Sequence, residues 1–88
     1  MMWKFRPGTE TEQERFLSGL RALQGVIPQI LRSEVSVNTG TGNYDAVLVA
    51  EFESPADLEL YKNDPRHQAV SAICKAIRQE RAAVDCAF

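Results

Sequence analysis

Tyr44-Asp-Ala-Val-Leu-Val-Ala-Glu-Phe52 is the stretch whose reading decides the fold. It holds no Gly or Pro, and its middle is β-branched or aliphatic, so it reads as a strand. Alternate strand residues face opposite ways, which puts Ala46, Leu48, Ala50 and Phe52 on one face. Val47 and Val49 lie on the other, with Asp45 and Glu51 at its ends. A strand wetted on one side alternates apolar and polar residues; this one is apolar on both sides through its middle, so something must cover each face.

Working outward, Met1–Arg6 reads as a first strand, with Met1, Trp3 and Phe5 on one face and Met2, Lys4 and Arg6 on the other. Pro7-Gly8 ends it. A helix follows, for which Thr11 and Glu14 fit a capping box and the cluster Glu10, Glu12, Glu14 suits the positive end of the helix dipole. Phe16, Leu17, Leu20 and Leu23 form its apolar stripe, and Gly25 with Pro28 stops it. Ile30–Asn38 is a second strand, with Leu31, Ser33, Val35 and Val37 on one face and Arg32, Glu34, Ser36 and Asn38 on the other. The glycines of Asn38–Asn43 make a turn-rich loop and not a phosphate loop, since neither Lys-Ser/Thr nor a helix start follows.

After the central strand, Ser54-Pro55 opens a second helix, with Ser54 as N-cap. Asp64-Pro65 repeats the device; the residue before proline avoids helical angles, so the second helix ends near Asn63 and a third begins at Pro65. Arg66, Val70, Ile73, Cys74 and Ile77 recur at helical spacing, Gln79–Arg81 closes that helix, and Ala82–Phe88 is the last strand. The order strand, helix, strand, strand, helix, helix, strand gives an α+β fold: a ferredoxin-like four-stranded antiparallel sheet with helices on one face. The other face keeps Met2 or Trp3 and Val47 and Val49 or Leu48 uncovered. Monomers rarely expose an apolar patch beyond a few hundred Å2. A second copy laying its sheet on this one resolves the problem.

Composition narrows the classes. Eighty-eight residues make one domain, residues 1–88. A chain of this size hides only about 60–65% of its unfolded surface on folding, so association helps it. The net charge is −2 and Lys and Arg do not cluster, which argues against nucleic acid or an anionic membrane as partner. No apolar run reaches the roughly 20 residues of a membrane span, and Met1–Pro7 is too short and mixed for a signal peptide. A cytoplasmic location is the expectation. Cys74 and Cys86 show neither metal spacing nor C-x-x-C, and both read as small core residues.

Trp3-Lys-Phe-Arg-Pro-Gly8, Ile27-Pro28, Tyr44-Asp45, Phe52-Glu-Ser-Pro-Ala-Asp-Leu-Glu-Leu-Tyr61, Asp64-Pro-Arg-His-Gln-Ala-Val70 and Val84-Asp85 stand in an order and spacing that resembles the Dabb, or stress-responsive α/β-barrel, domain family. The resemblance covers nearly the whole chain and rests on that order more than on any single motif. It implies a dimeric α+β barrel, two four-stranded sheets packed around a cavity, with a role in stress response or one not assigned. One departure stands out: such domains usually carry a few more residues, often including a His, ahead of the first strand.

The chemistry candidates are few. His67 is the only histidine, and Tyr61 precedes it across the Asp64-Pro65 break. In plant polyketide-cyclising members of the family a Tyr and a His in a matching Tyr-x5-His arrangement act on substrate, so the resemblance implies Tyr61 and His67 as catalytic candidates. A neutral imidazole accepts a proton near neutral pH, and a phenol donates to an enolate or carbonyl oxygen. The bland alternative is a histidine bonded to the helix cap and a tyrosine packed at a helix end. Trp3, Phe5, Val47 and Val49 are candidates for the cavity or the dimer interface. Related dimeric barrel families include haem-degrading enzymes, but a lone histidine without a second ligand of comparable quality supports no haem, and no metal or other cofactor is expected. Three classes follow: a homodimeric stress-response domain, a cofactor-independent cyclase or lyase acting on a polyketide-like or aromatic substrate, and a binder of a small apolar or aromatic ligand.

Overall fold

A computed structural model describes residues 1–87. Its elements are β1 (Met2–Phe5), α1 (Glu10–Leu23), β2 (Arg32–Val37), β3 (Ala46–Glu51), α2 (Pro55–Asn63), α3 (Pro65–Ile77) and β4 (Arg78–Ala82). The strands form one antiparallel sheet in the order β2-β3-β1-β4.

β3 is the pivot of the sheet. It pairs with β2 along its whole length, from Arg32 opposite Glu51 to Val37 opposite Ala46, and with β1 through Met2 opposite Val47 and Trp3 opposite Ala46. That register puts Trp3, Phe5, Ala46 and Leu48 under the helices, where they join Phe16, Leu17, Leu20, Leu23, Ile27, Tyr61, Cys74 and Ile77 in one buried cluster. Met2, Glu34, Ser36, Val47 and Val49 fall on the opposite face, and none of them belongs to the core. Of the two assignments open for the first strand, Met2 and not Trp3 is therefore the outward residue. Leu31 and Val37, at the two ends of the β2 stretch, are exposed, and Val35 between them packs against the core.

The caps explain where the helices begin. Ser54 caps α2 by accepting from the Asp57 N–H at 3.2 Å, and Asp64 caps α3 by accepting from the Arg66 N–H at 2.8 Å. α1 departs from expectation. Its N-cap is Thr9, so Thr11 lies inside the helix and the anticipated Thr11–Glu14 capping box does not form. The Thr9 hydroxyl instead donates to the Arg6 carbonyl at 2.6 Å and accepts from Gln13 Nε2 at 3.0 Å. Gly25, with φ of 84°, supplies the left-handed turn that ends α1.

The C-terminal quarter corrects the sequence reading most. α3 stops at Ile77 and β4 occupies Arg78–Ala82, so Gln79–Arg81, expected to close the helix, belong to the strand. Helix propensity loses here to the ladder with β1, in which Lys4 faces Glu80 and Met2 faces Ala82. The strand expected over Ala82–Phe88 is absent from residues 83–87, and Phe88 lies outside the described residues. The reason is the register. Among the described residues β4 is an edge strand paired with β1 alone, and Ala82 already pairs with Met2, the first residue of β1. Cys86, read as a core residue, is exposed in this segment, whereas Cys74 is buried.

Candidate functional site

The corner between α2 and α3 gathers the chemistry-bearing side chains. Asp64 ends α2 and starts α3, in extended backbone with φ −67° and ψ 130°. This break turns the chain so that the last turn of one helix adjoins the first turn of the next. Tyr61, buried in the last turn of α2, stacks at a tilt on His67, with ring centroids 4.2 Å apart. On its other side Tyr61 meets Phe52 at 5.0 Å.

The hydrogen bonding of His67 decides its tautomer. Its Nδ1 lies 3.3 Å from the Lys62 carbonyl oxygen. A carbonyl only accepts, so Nδ1 carries the hydrogen and the neutral ring leaves the Nε2 lone pair free. Burial pushes the His67 imidazole below the usual histidine range; the Lys62 carbonyl and the Asp64 charge oppose this, and the Lys75 and Lys62 charges reinforce it. Burial also pushes the Tyr61 phenol up to about 12, so it stays a protonated donor. A neutral acceptor beside a neutral donor can move a proton to and from a carbonyl compound.

Arg66 organises the same corner. Its guanidinium forks onto Asp64, with Nε to Oδ1 at 3.0 Å and an Nη to Oδ2 at 2.7 Å, and its other Nη donates to the Val26 carbonyl at 3.1 Å. Side-chain bonding from Arg66 brings the Asp64 carboxyl down to about 2.

Trp3 and Phe5 are not part of an open surface. Both are buried and meet Phe16 edge-on, at 4.9 Å and 87° for Trp3 and 6.1 Å and 77° for Phe5. The register separates the four candidates for cavity or dimer interface: Trp3 and Phe5 point toward the helices with the even-numbered β3 residues, and Val47 and Val49 point away from them. Open depressions mark the surface of the described residues, two of them near the sheet. One, of about 470 Å3, is lined by residues that include Lys4, Arg6, Glu10 and Asp45. The other, of about 330 Å3, lies against Met2, Val37, Tyr44 and Val47. Neither is lined by Tyr61 or His67.

Sequence reasoning brought Tyr61 and His67 together but missed two neighbours. Phe52 was legible, since it continues the alternation of Leu48 and Ala50 onto the helix side. The Arg66–Asp64 fork had a local signal, an Arg two places after a capping Asp; the Val26 contact, 40 residues away, had none.

No curated protein matches this chain. Among solved structures, a dimeric protein of unknown function and ferredoxin-like fold from Bacteroides fragilis NCTC 9343 is similar at 27% identity, covering 99% of this chain and 90% of that one, with a TM-score of 0.90. A dimeric ferredoxin-like protein of unknown function from Thermobifida fusca yx is similar at 26% identity, covering 99% and 85%, with a TM-score of 0.88. The stress responsive A/B barrel domain family, Dabb, matches residues 1–88, and the chain belongs to it.

Proposed function

We propose that the chain works as a homodimer whose sheets pack face to face in a dimeric α+β barrel, in a stress-response role. One observation carries this reading: the sheet face away from the helices presents Met2, Val47 and Val49, with Met2 39% and Val49 56% exposed, in the middle of a four-stranded sheet. Leaving that surface in water costs about 25 cal/mol per Å2 of apolar area, and a second copy of the same face removes it. The dimeric state of the two similar structures supports the same assembly. The interface is expected to bury more than roughly 1,200 Å2 in total. Val49→Asp tests it, with Val47→Asp as a companion. Sedimentation equilibrium of Val49→Asp is expected to show monomer, or unfolded chain if the fold depends on pairing. A variant that stays folded and dimeric refutes the face-to-face packing.

A second reading concerns the corner of α2 and α3, and the tautomer of His67 favours it. With Nδ1 spent on Lys62, Nε2 is an acceptor beside the protonated Tyr61 phenol. The pair suits proton transfer without a cofactor on an apolar, polyketide-like or aromatic carbonyl compound. The test is turnover of such compounds by the wild type and by His67→Ala, matched for folding by circular dichroism. Loss of turnover in the variant supports a catalytic His67. Equal rates remove it from any mechanism and leave non-catalytic binding of a small apolar ligand, or packing alone.

A further inference from the structure

We infer that Arg66 is a positioning residue for His67: by forking onto Asp64 and reaching the Val26 carbonyl, it keeps the Asp64 carboxylate off the imidazole. The inference takes His67 as the working group of the corner and to that extent rests on the second reading above.

Asp64 is the N-cap of α3 and His67 stands three residues later. Those are the two positions brought close in a capping box, where each side chain reaches the other residue's backbone N–H. An Asp there with a free oxygen would pair with His67, hold it protonated and take it out of service as an acceptor. The structure shows another outcome. Oδ1 accepts from the Arg66 backbone N–H at 2.8 Å and from Arg66 Nε at 3.0 Å, while Oδ2 accepts from an Arg66 Nη at 2.7 Å. Both carboxylate oxygens are thus engaged by one residue, and His67 turns its Nδ1 to the Lys62 carbonyl instead. The remaining Nη, bonded to Val26, anchors the guanidinium to the turn after α1, so the fork does not swing away. A lysine could supply the charge but not the planar fork and the third contact together.

The groups that bear on His67 are Tyr61 and Lys62 from α2, Asp64 at the corner and Lys75 from α3. Burial disfavours protonation of the ring most, and among these groups Asp64 is the one anion that opposes it, so its engagement modulates how easily the ring protonates.

The chain has a single histidine, so NMR titration of its imidazole in the intact protein reads this group alone. Wild type, Arg66→Gln, Arg66→Lys, Asp64→Asn and the double variant Asp64→Asn/Arg66→Gln are compared. Asn caps helices as well as Asp, so the background variant keeps α3. Arg66→Gln is expected to shift the His67 titration upward, by an amount that shrinks as salt is added. In the Asp64→Asn background the same change is expected to leave the titration where it was. Arg66→Lys is expected to follow Arg66→Gln. The inference is overturned if Arg66→Gln leaves the titration unmoved, if it moves it equally in both backgrounds, or if Arg66→Lys matches the wild type. The titration needs no substrate, so its outcome is separate from the turnover test of His67.

Discussion

Leu48 and Val49 are neighbours in β3, similar in size and chemistry, yet Leu48 is 9% exposed and Val49 56%. Nothing local separates them; the strand simply points one toward the helices and the other away. The comparison shows that one chain satisfies only half of this sheet. The helix face is a finished core in which Trp3, Phe5 and Phe16 interlock edge to face. The open face is apolar at its centre too, through Met2, Val47 and Val49, and among the described residues no element of its own chain lies over them.

Substitutions at the two faces should therefore fail differently. Leu48→Ala removes core volume and is expected to cost about 2–5 kcal/mol of stability in chemical denaturation. Val49→Ala is expected to cost a monomer under about 0.5 kcal/mol, as at an ordinary surface site, and to show its effect as weaker self-association. Equal losses of stability at both positions, with association unchanged, would break the contrast.

A smaller effect tests how tightly the helical layer is packed. A Cβ at Gly19 of α1 would meet both methyls of Val70 on α3, at 3.1 and 3.2 Å. Replacing Gly by Ala in a helix gains about 1 kcal/mol, but overpacking costs about 1–3 kcal/mol, and a β-branched valine in a helix does not turn aside easily. Gly19→Ala is expected to lower stability by about 1 kcal/mol net; a stabilised variant in the same denaturation assay would mean that α1 and α3 yield.

The smallest effect comes from the corner. His67 titrates below its ordinary value of 6.5 in the folded chain, so below that pH the unfolded chain binds more protons. Stability contributed by the neutral ring is present above pH 6.5 and declines as the pH falls through the lowered folded value. Asp64 acts in a separate window, its contribution lost between its ordinary 3.8 and about 2. Thermal melts from pH 7.5 to 5 are expected to show a shallow decline that His67→Gln removes; an identical slope in that variant assigns the decline elsewhere.

Much of this was legible in the sequence. Ser54-Pro55 and Asp64-Pro65 announce two helix starts through capping chemistry that is local in the chain, and both caps form. The alternation of Ala46 to Phe52 gave the two faces of β3 because strand periodicity needs no tertiary knowledge. Assigning each face to core or surface needed the register with β1, which is why Trp3 and Phe5 were grouped with Val47 and Val49. The end of α3 was illegible for a like reason: Arg78–Arg81 are tolerable helix residues, and only pairing with Met2–Phe5 makes them a strand. At the site, the meeting of Tyr61 and His67 followed from the Asp-Pro break. The tautomer of His67 did not, since it depends on where the Lys62 carbonyl points.

The open face is the central claim, and the solution mass of the wild-type chain tests it most directly. Multi-angle light scattering across micromolar concentrations is predicted to give twice the 9.8 kDa monomer mass. A single monodisperse species at the monomer mass throughout that range would contradict it.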